Sequence, residues 1–344
     1  VLPQIDGWDG RCWGQIREVV ERIAPDMIDV QYQAAAYDMR IPAISLLPWR
    51  WRRLDRRPPI AVTLHDLKPP YLFPKAGPLR DAMVRTLARH SDAIIVTNAQ
   101  DWAAAQAWPF LANQTMRNKR PVLHQIPIGS NINVSPPADY CRATWRAGWG
   151  YQSEDVVWAY FGFLNESKGG ETLIRALAAA QPKAHLLMIG GRVGSSDPTN
   201  RAYADHIQSL IDELGLVQRV RWMGYVPNEQ VSAALLSADA VVLPYRDGVS
   251  FRRGSLHAAL AHGCPIISTR PTVPLPELVE GENILLVPPD DPATVGRAAQ
   301  RLQDDPELKQ RIGQGAAALA QQFTWTQIAR RTVNEVFKPI LAAQ

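Results

Sequence analysis

Ten short runs of β-branched and aliphatic residues punctuate this chain, and most gaps between them are long enough to hold a helix. The runs cover residues 28–32, 60–64, 93–97, 122–126, 156–161, 185–189, 220–223, 240–243, 266–269 and 284–287. Helical periodicity occupies 13–23, 79–89, 171–179, 203–214 and 229–237, and 255–262 and 326–343 read the same way. Strand, helix, strand is the crossover unit of a parallel sheet. Runs such as "AVVLP" and "HLLMIG" are apolar along their length, as strands covered on both faces are. The predicted class is α/β, with parallel sheets and helices on both faces.

The alternation breaks once. "IPIGSNINVSPPADY" (126–140) is rich in Pro, Asn and Ser, and a fresh strand opens at Val156. A length of 344 residues suits two domains. The expected division is 1–150, then 151–325, then a helical tail over 326–344. Charge divides along the same line. Residues 1–150 hold 19 Lys+Arg against 13 Asp+Glu, and 151–344 hold 18 against 20, so the first half is the basic one. No run of about 18 apolar residues occurs, so no span of a bilayer is expected. The opening "VLPQIDGWDG" has neither the basic nor the apolar region of a signal peptide. Three widely spaced cysteines fit a reducing, cytoplasmic setting better than a disulfide scaffold.

Open parallel sheets bind ligands beyond the carboxyl ends of their strands, so the loops there carry the argument. After the strand at 156–161 comes "GFLNESKGGETLIRAL". Gly162 permits close backbone approach, and Lys168 precedes a helix whose free N–H groups form an anion site. After 240–243 comes "DGVSFRRGSLHAAL", with Arg252 and Arg253 at the head of a helix and Ser255 as its candidate cap. Cations at a helix N-terminus are unfavourable unless an anion joins them. A diphosphate held by Lys168, Arg252, Arg253 and the N–H groups of Gly254 and Ser255 satisfies that. The alternative pairs the arginines with Asp247. In the first half, His65 and Asp66 follow the strand at 60–64. The loop "GGRVGSSD" lacks the dinucleotide-binding glycine spacing, and no phosphate-loop, H-E-x-x-H or G-x-S-x-G motif occurs. No Asp-x-Asp occurs either, so neither a metal nor another cofactor is expected.

These segments together resemble the retaining, GT-B-fold glycosyltransferases of the large family-4 type. "FGFLNESKGGETLIRAL" is similar to that family's Gly-Arg-Leu-x-x-x-Lys-Gly segment. "RVRWMGYVPNEQVSAALLSADAVVLPY" is similar to its strand, G-x-v-P, helix and a-D-v-x-v-x-P run. "ALAHGCPIIST" and "VPLPELVEGENILLVPPDDP" are similar to its A-M-A-x-G-x-P-V-I and E-x-x-x-x-G-x-N-G-x-L-V segments, and "IPIGSNI" to its interdomain I-P-N-G-V-D. The resemblance implies two facing Rossmann-like domains with an interdomain cleft, the first binding acceptor and the second binding a nucleotide diphosphate sugar. It implies transfer of that sugar to an acceptor hydroxyl with retention. Tyr225 and Val226 then lie near the nucleobase and His65 near the donor sugar. The alternatives on this fold are a non-catalytic sugar-nucleotide-binding protein and a sugar-nucleotide epimerase.

Three departures stand out. The family's paired Glu residues fall on Ser250 and Ala258, and its Arg after the first Gly falls on Phe163. Arg252 and Arg253 would replace that cation. The family's first strand and glycine-rich loop also have no counterpart in the residues present. The basic half concentrates five arginines in "PWRWRRLDRRPP" (48–59), read as a proline-bounded loop. With Trp49 and Trp51 it would suit reversible contact with an anionic membrane face, where lipid-linked acceptors lie. The other reading is a solvated loop whose tryptophans pack on the domain. No nucleic-acid motif is present.

Overall fold

The computed structural model describes residues 4–33, 36–37, 42–52, 54, 57–67, 77–112, 121–191 and 198–343. Among these residues ten strands form, each within one residue of its expected bounds. They are β1 (Ile28–Tyr32), β2 (Ile60–Leu64), β3 (Ala93–Val96), β4 (Val122–Gln125), β5 (Val156–Phe161), β6 (Ala184–Ile189), β7 (Val220–Gly224), β8 (Ala240–Leu243), β9 (Ile266–Thr269) and β10 (Leu285–Val287). Among the described residues every pairing of one of these strands with another is parallel.

The chain divides into two compact units, Val1–Ile128 with Thr326–Gln344, and Gly129–Trp325. The expected boundary near residue 150 is therefore corrected. Residues 129–150 belong to the second unit because Asp239 holds them there. Its carboxylate accepts from Arg142 and Arg146 of helix Arg142–Gly148, at 2.8 Å each. The tail is not a separate element. Ile328 and Val336 bury against Ala61, Ala93 and Ile95 of the first unit.

In the first unit the strand order is β1-β2-β3-β4. Val30, Tyr32, Ile60, Val62, Leu64, Ile94 and Val96 fill one face under helices Ala43–Trp51 and Gly77–His90. Helix Ala43–Trp51 corrects the reading of 48–59 as a loop. Ile44, Leu47 and Trp51 recur at helical spacing and bury, even though Pro48 lies inside the helix. Arg50 sits over the Trp13 ring at 4.7 Å, and Arg57 grips Asp92 with two bonds of 2.7 and 2.8 Å. Trp51 is thus core and Arg57 a staple, while Arg53, Asp55 and Arg56 lie outside the described residues.

In the second unit the order is β10-β9-β8-β5-β6-β7. The chain steps outward from β5 to β7, returns to the far side of β5 as β8, and steps outward again. This is the doubly wound order, and its crevice lies between the two strands where direction reverses. Those strands are β5 and β8. Val157–Tyr160 and Val241–Leu243 are almost wholly buried, as a sheet covered on both faces requires.

Candidate functional site

The loops that leave β5 and β8 at the switch point are stitched together. After Phe161 the backbone turns at Gly162 (φ +125°), makes a short turn at Glu166–Lys168, and enters helix Gly170–Ala179 through Gly169 (φ +69°). Such φ values favour glycine. A Cβ on Gly169 would meet the Pro244 carbonyl oxygen at 1.9 Å, so the two loops touch backbone to backbone. Arg246 reinforces the seam. Its N–H donates to Ser167 O at 2.9 Å, and its guanidinium pairs with Glu166 and Asp290.

This seam brings Lys168 beside the arginines. The Lys168 ammonium lies against Gly162, 3.2 Å from where a Cβ would be, and makes no hydrogen bond or ion pair with the described residues. Burial and the Arg253 guanidinium push it down to about 8, against the pull of Asp247. Arg252 pairs with Asp247 at 2.6 Å, and Arg253 pairs with the other oxygen of the same carboxylate. The sequence alternative of pairing with Asp247 is thus realised. It does not neutralise the site, because three cations share one carboxylate. Arg253 also lies over the Tyr245 ring at 4.7 Å, and its Nε is buried without a partner.

Helix Gly254–Ala261 starts here, with Arg253 at the cap position. Ser255 does not cap it, contrary to the expectation. Its Oγ is turned inward to the buried Tyr245 hydroxyl at 2.6 Å, which fixes the ring under Arg253. The N–H groups of Gly254 and Ser255 make no hydrogen bond with the described residues, so the helix presents two free donors beside the cations. Ser250, which stands where the resembled family has a Glu, is 3% exposed with its Oγ unpartnered. The sequence reading singled out neither Tyr245 nor the need for Gly169, because both act through contacts distant in sequence.

Tyr225 and Val226 follow β7, two strands from β5. Tyr225 is 89% exposed, unusual for so large a ring, and Val226 is half-buried against the core. Among the described residues no recorded contact links them to the Lys168 cluster. Phe163 is exposed, its carbonyl held by the Tyr160 hydroxyl at 3.1 Å. His65 belongs to the first unit. It is half-buried, with Nε2 2.8 Å from Gln31 Oε1. No group of three or more His, Cys, Asp or Glu suited to a metal occurs among the described residues. No helix among them is long and apolar enough to cross a membrane. The loop after β6, 192–197, lies outside the described residues.

Residues 155–305 match the family model described as "Glycosyl transferases group 1". That stretch is similar to group 1 glycosyltransferase domains. The matched stretch spans both arms of the switch point and every candidate residue except His65 and Asp66. Curated relatives of the chain include the D-inositol 3-phosphate glycosyltransferases of Corynebacterium diphtheriae, 31% identical over 210 residues, and Streptomyces avermitilis, 28% identical over 222. Those matches take 59% and 63% of this chain but 47% and 46% of the relatives, so the chain spans about half the length of the curated relatives it matches. Solved structures extend the likeness to the whole chain. The sucrose-phosphate synthase of Thermosynechococcus elongatus superposes with TM-score 0.72 and 22% identity, covering 97% of this chain and 78% of that one. HepE of Anabaena, solved with UDP and glucose, gives TM-score 0.72 and 20% identity over 97% and 83%. The matched stretch therefore sits within a chain of GT-B fold.

Proposed function

We propose that this chain transfers a sugar from a nucleotide diphosphate sugar to an acceptor hydroxyl, with retention and without a metal. One observation carries the reading. At the switch point of a doubly wound sheet, Lys168, Arg252 and Arg253 gather beside two free helix N–H groups, with a single carboxylate among them. A sugar nucleotide breaks at the anomeric carbon and leaves its diphosphate with growing negative charge. Fixed cations and N–H donors stabilise that charge as it develops, with no need to reorganise. Gly162 leaves room for the phosphates beside Lys168. Tyr225 offers an open aromatic face to a base. The match to a group 1 domain supports the transfer reading, and the UDP seen with HepE supports a nucleotide donor.

The reading is tested with UDP, GDP, ADP and dTDP and their glucose or mannose conjugates. Ligand at 100 times its Kd stabilises the fold by about 2.7 kcal/mol, which a thermal-shift assay resolves. The expected result is stabilisation by at least one nucleotide diphosphate, and release of it when sugar nucleotide and a hydroxyl acceptor are both present. Binding without release would make this a sugar-nucleotide-binding protein. No binding of any of them would overturn the site.

A further inference from the structure

Adjacent cations repel one another, so something must hold Arg252 and Arg253 together before a ligand arrives. Asp247 does so, and its own backbone is held from both sides. Arg246 N–H donates to Ser167 O at 2.9 Å, which ties the loop to the one that leaves β5. Tyr245 O accepts from Thr269 Oγ1 at 2.6 Å, and Val249 N–H donates to Thr269 O at 3.3 Å, which ties it to the end of β9. Gly248 completes the clamp. Its φ is +80°, and a Cβ there would meet Arg270 O at 2.7 Å and Thr272 N at 3.0 Å. Gly248, Val249 and Ser250 are all buried. The stretch that carries Asp247 is thus fixed by the neighbours of β8 on either side.

The carboxylate divides between the arginines. Oδ2 accepts from Arg252 Nη2 at 2.6 Å, and Oδ1 accepts from Arg253 Nη2. One oxygen for each sets the two guanidiniums side by side. Their side chains are only 10% and 12% exposed, so water does little to screen their repulsion. The pairing uses one terminal nitrogen of each fork. Nη1 of both, and the buried Nε of Arg253, make no hydrogen bond with the described residues. Phosphate oxygens suit such vacant donors. Two roles are open to a carboxylate in this position. It could stand where a phosphate goes and be displaced by one, or it could stay as part of the frame. A backbone clamped on both sides, with donors left over beside it, favours the frame.

We propose that Asp247 is a positioning residue, a fixed counter-ion that holds the guanidiniums of Arg252 and Arg253 side by side and stays in place when the diphosphate binds. This rests on the diphosphate site argued above, but one of its tests does not. It reverses the sign expected from charge alone. Removing the carboxylate makes the site more positive, and simple attraction would then bind an anion more tightly. If Asp247 is part of the frame, the arginines separate without it and binding weakens, because the donors are no longer pre-organised. Lys168 supplies a second signature. Arg253 lowers the proton affinity of its ammonium and Asp247 raises it. The other charged groups on these loops are taken up among themselves, Arg246 with Glu166 and Asp290, and Glu171 with Arg175. Without Asp247, Lys168 therefore gives up its proton at lower pH.

Calorimetric titration with UDP, GDP, ADP and dTDP, from neutral pH upward, tests this. In Asp247→Asn the affinity at neutral pH should fall roughly tenfold or more. Its further decline with rising pH should also begin lower than in the unaltered protein. A role in folding alone would not move that decline. Asp247→Glu keeps the charge, and should keep part of the affinity and the unaltered pH profile. Unchanged or tighter binding in Asp247→Asn would overturn the proposal, the tighter result marking a carboxylate that competes with the ligand. A ligand-free measurement judges it separately. Nitrogen spectra of arginine side chains report whether a guanidinium turns freely. Arg252 and Arg253, assigned through Arg252→Lys and Arg253→Lys, should turn slowly in the unaltered protein and faster in Asp247→Asn. Free rotation of both in the unaltered protein would overturn the positioning, and this result stands even if Asp247→Asn does not fold. If no nucleotide diphosphate binds the unaltered protein, the transfer reading fails, while the arginine spectra still judge Asp247.

Discussion

Gly169 and Pro244 are locked together, because a Cβ on Gly169 would stand 1.9 Å from the Pro244 carbonyl oxygen. That contact joins the loop after β5 to the loop after β8, and it is what sets Lys168 beside Arg253. Gly169→Ala must both adopt a left-handed conformation and push backbone away. It should cost at least about 3 kcal/mol and weaken nucleotide diphosphate binding as well. Gly170→Ala meets only side-chain ends, at 3.1 Å or more, and should be milder. Thermal unfolding of the two variants side by side checks this, and equal melting temperatures would refute it.

Charge-assisted hydrogen bonds contribute about 1.5–3 kcal/mol each. Lys168→Ala and Arg253→Ala should therefore weaken binding of a nucleotide diphosphate roughly 10- to 150-fold. Calorimetric titration measures it. Unaltered affinity in both variants would remove these residues from the site.

The Lys168 ammonium at about 8 fixes the sign of a pH effect. A bound diphosphate raises its proton affinity. Above pH 8 the lysine is largely neutral when free and charged when bound. Binding should then take up a proton, and affinity should fall as pH climbs through 8 and beyond. Calorimetry near about pH 8.5 in two buffers of unlike ionisation enthalpy reads the uptake. Without ligand, the unfolded chain holds that proton more tightly than the folded one. Stability therefore rises with pH from about 8 upward, and Lys168→Met should raise Tm at neutral pH.

Asp239 anchors residues 129–150 to the second unit, accepting from Arg142, Arg146, Lys309 and the Val157 N–H. The cations and these bonds hold its carboxyl below the usual carboxylate range despite its burial. The stability it contributes is present above the ordinary carboxylate pKa and is lost as pH falls below about 4. Asp239→Asn leaves two arginines and a lysine uncompensated and should cost about 3 kcal/mol. Denaturant unfolding at pH 7 and pH 3 tests both statements. The variant should lose less than the unaltered protein on acidification.

The absence of any Asp-x-Asp motif, with cations doing the work at the diphosphate, predicts that nucleotide binding and transfer persist in EDTA. Loss of both in EDTA with recovery in magnesium or manganese would show that Lys168, Arg252 and Arg253 do not suffice.

The α/β class and the strand bounds were legible in the sequence because they rest on local periodicity. An apolar run bounded by turn residues announces a buried strand wherever it is later placed. Lys168, Arg252 and Arg253 could be singled out for the same reason, since each lies just beyond such a run. Four things were decided only by tertiary contact. The order β10-β9-β8-β5-β6-β7, which makes β5 and β8 neighbours, depends on pairings between residues some eighty apart. The sharing of Asp247 by both arginines, and the turn of Ser255 away from its cap toward Tyr245, depend on where one loop folds back. The unit to which residues 129–150 and the tail belong is set by Asp239 and by Ile328 and Val336. The hydrogen bonds that run from Asp29 through Gln31 to His65 need β1 and β2 in register. Periodicity says which side of an element is apolar. Only the packed chain fixes which polar groups must find each other once that side is buried.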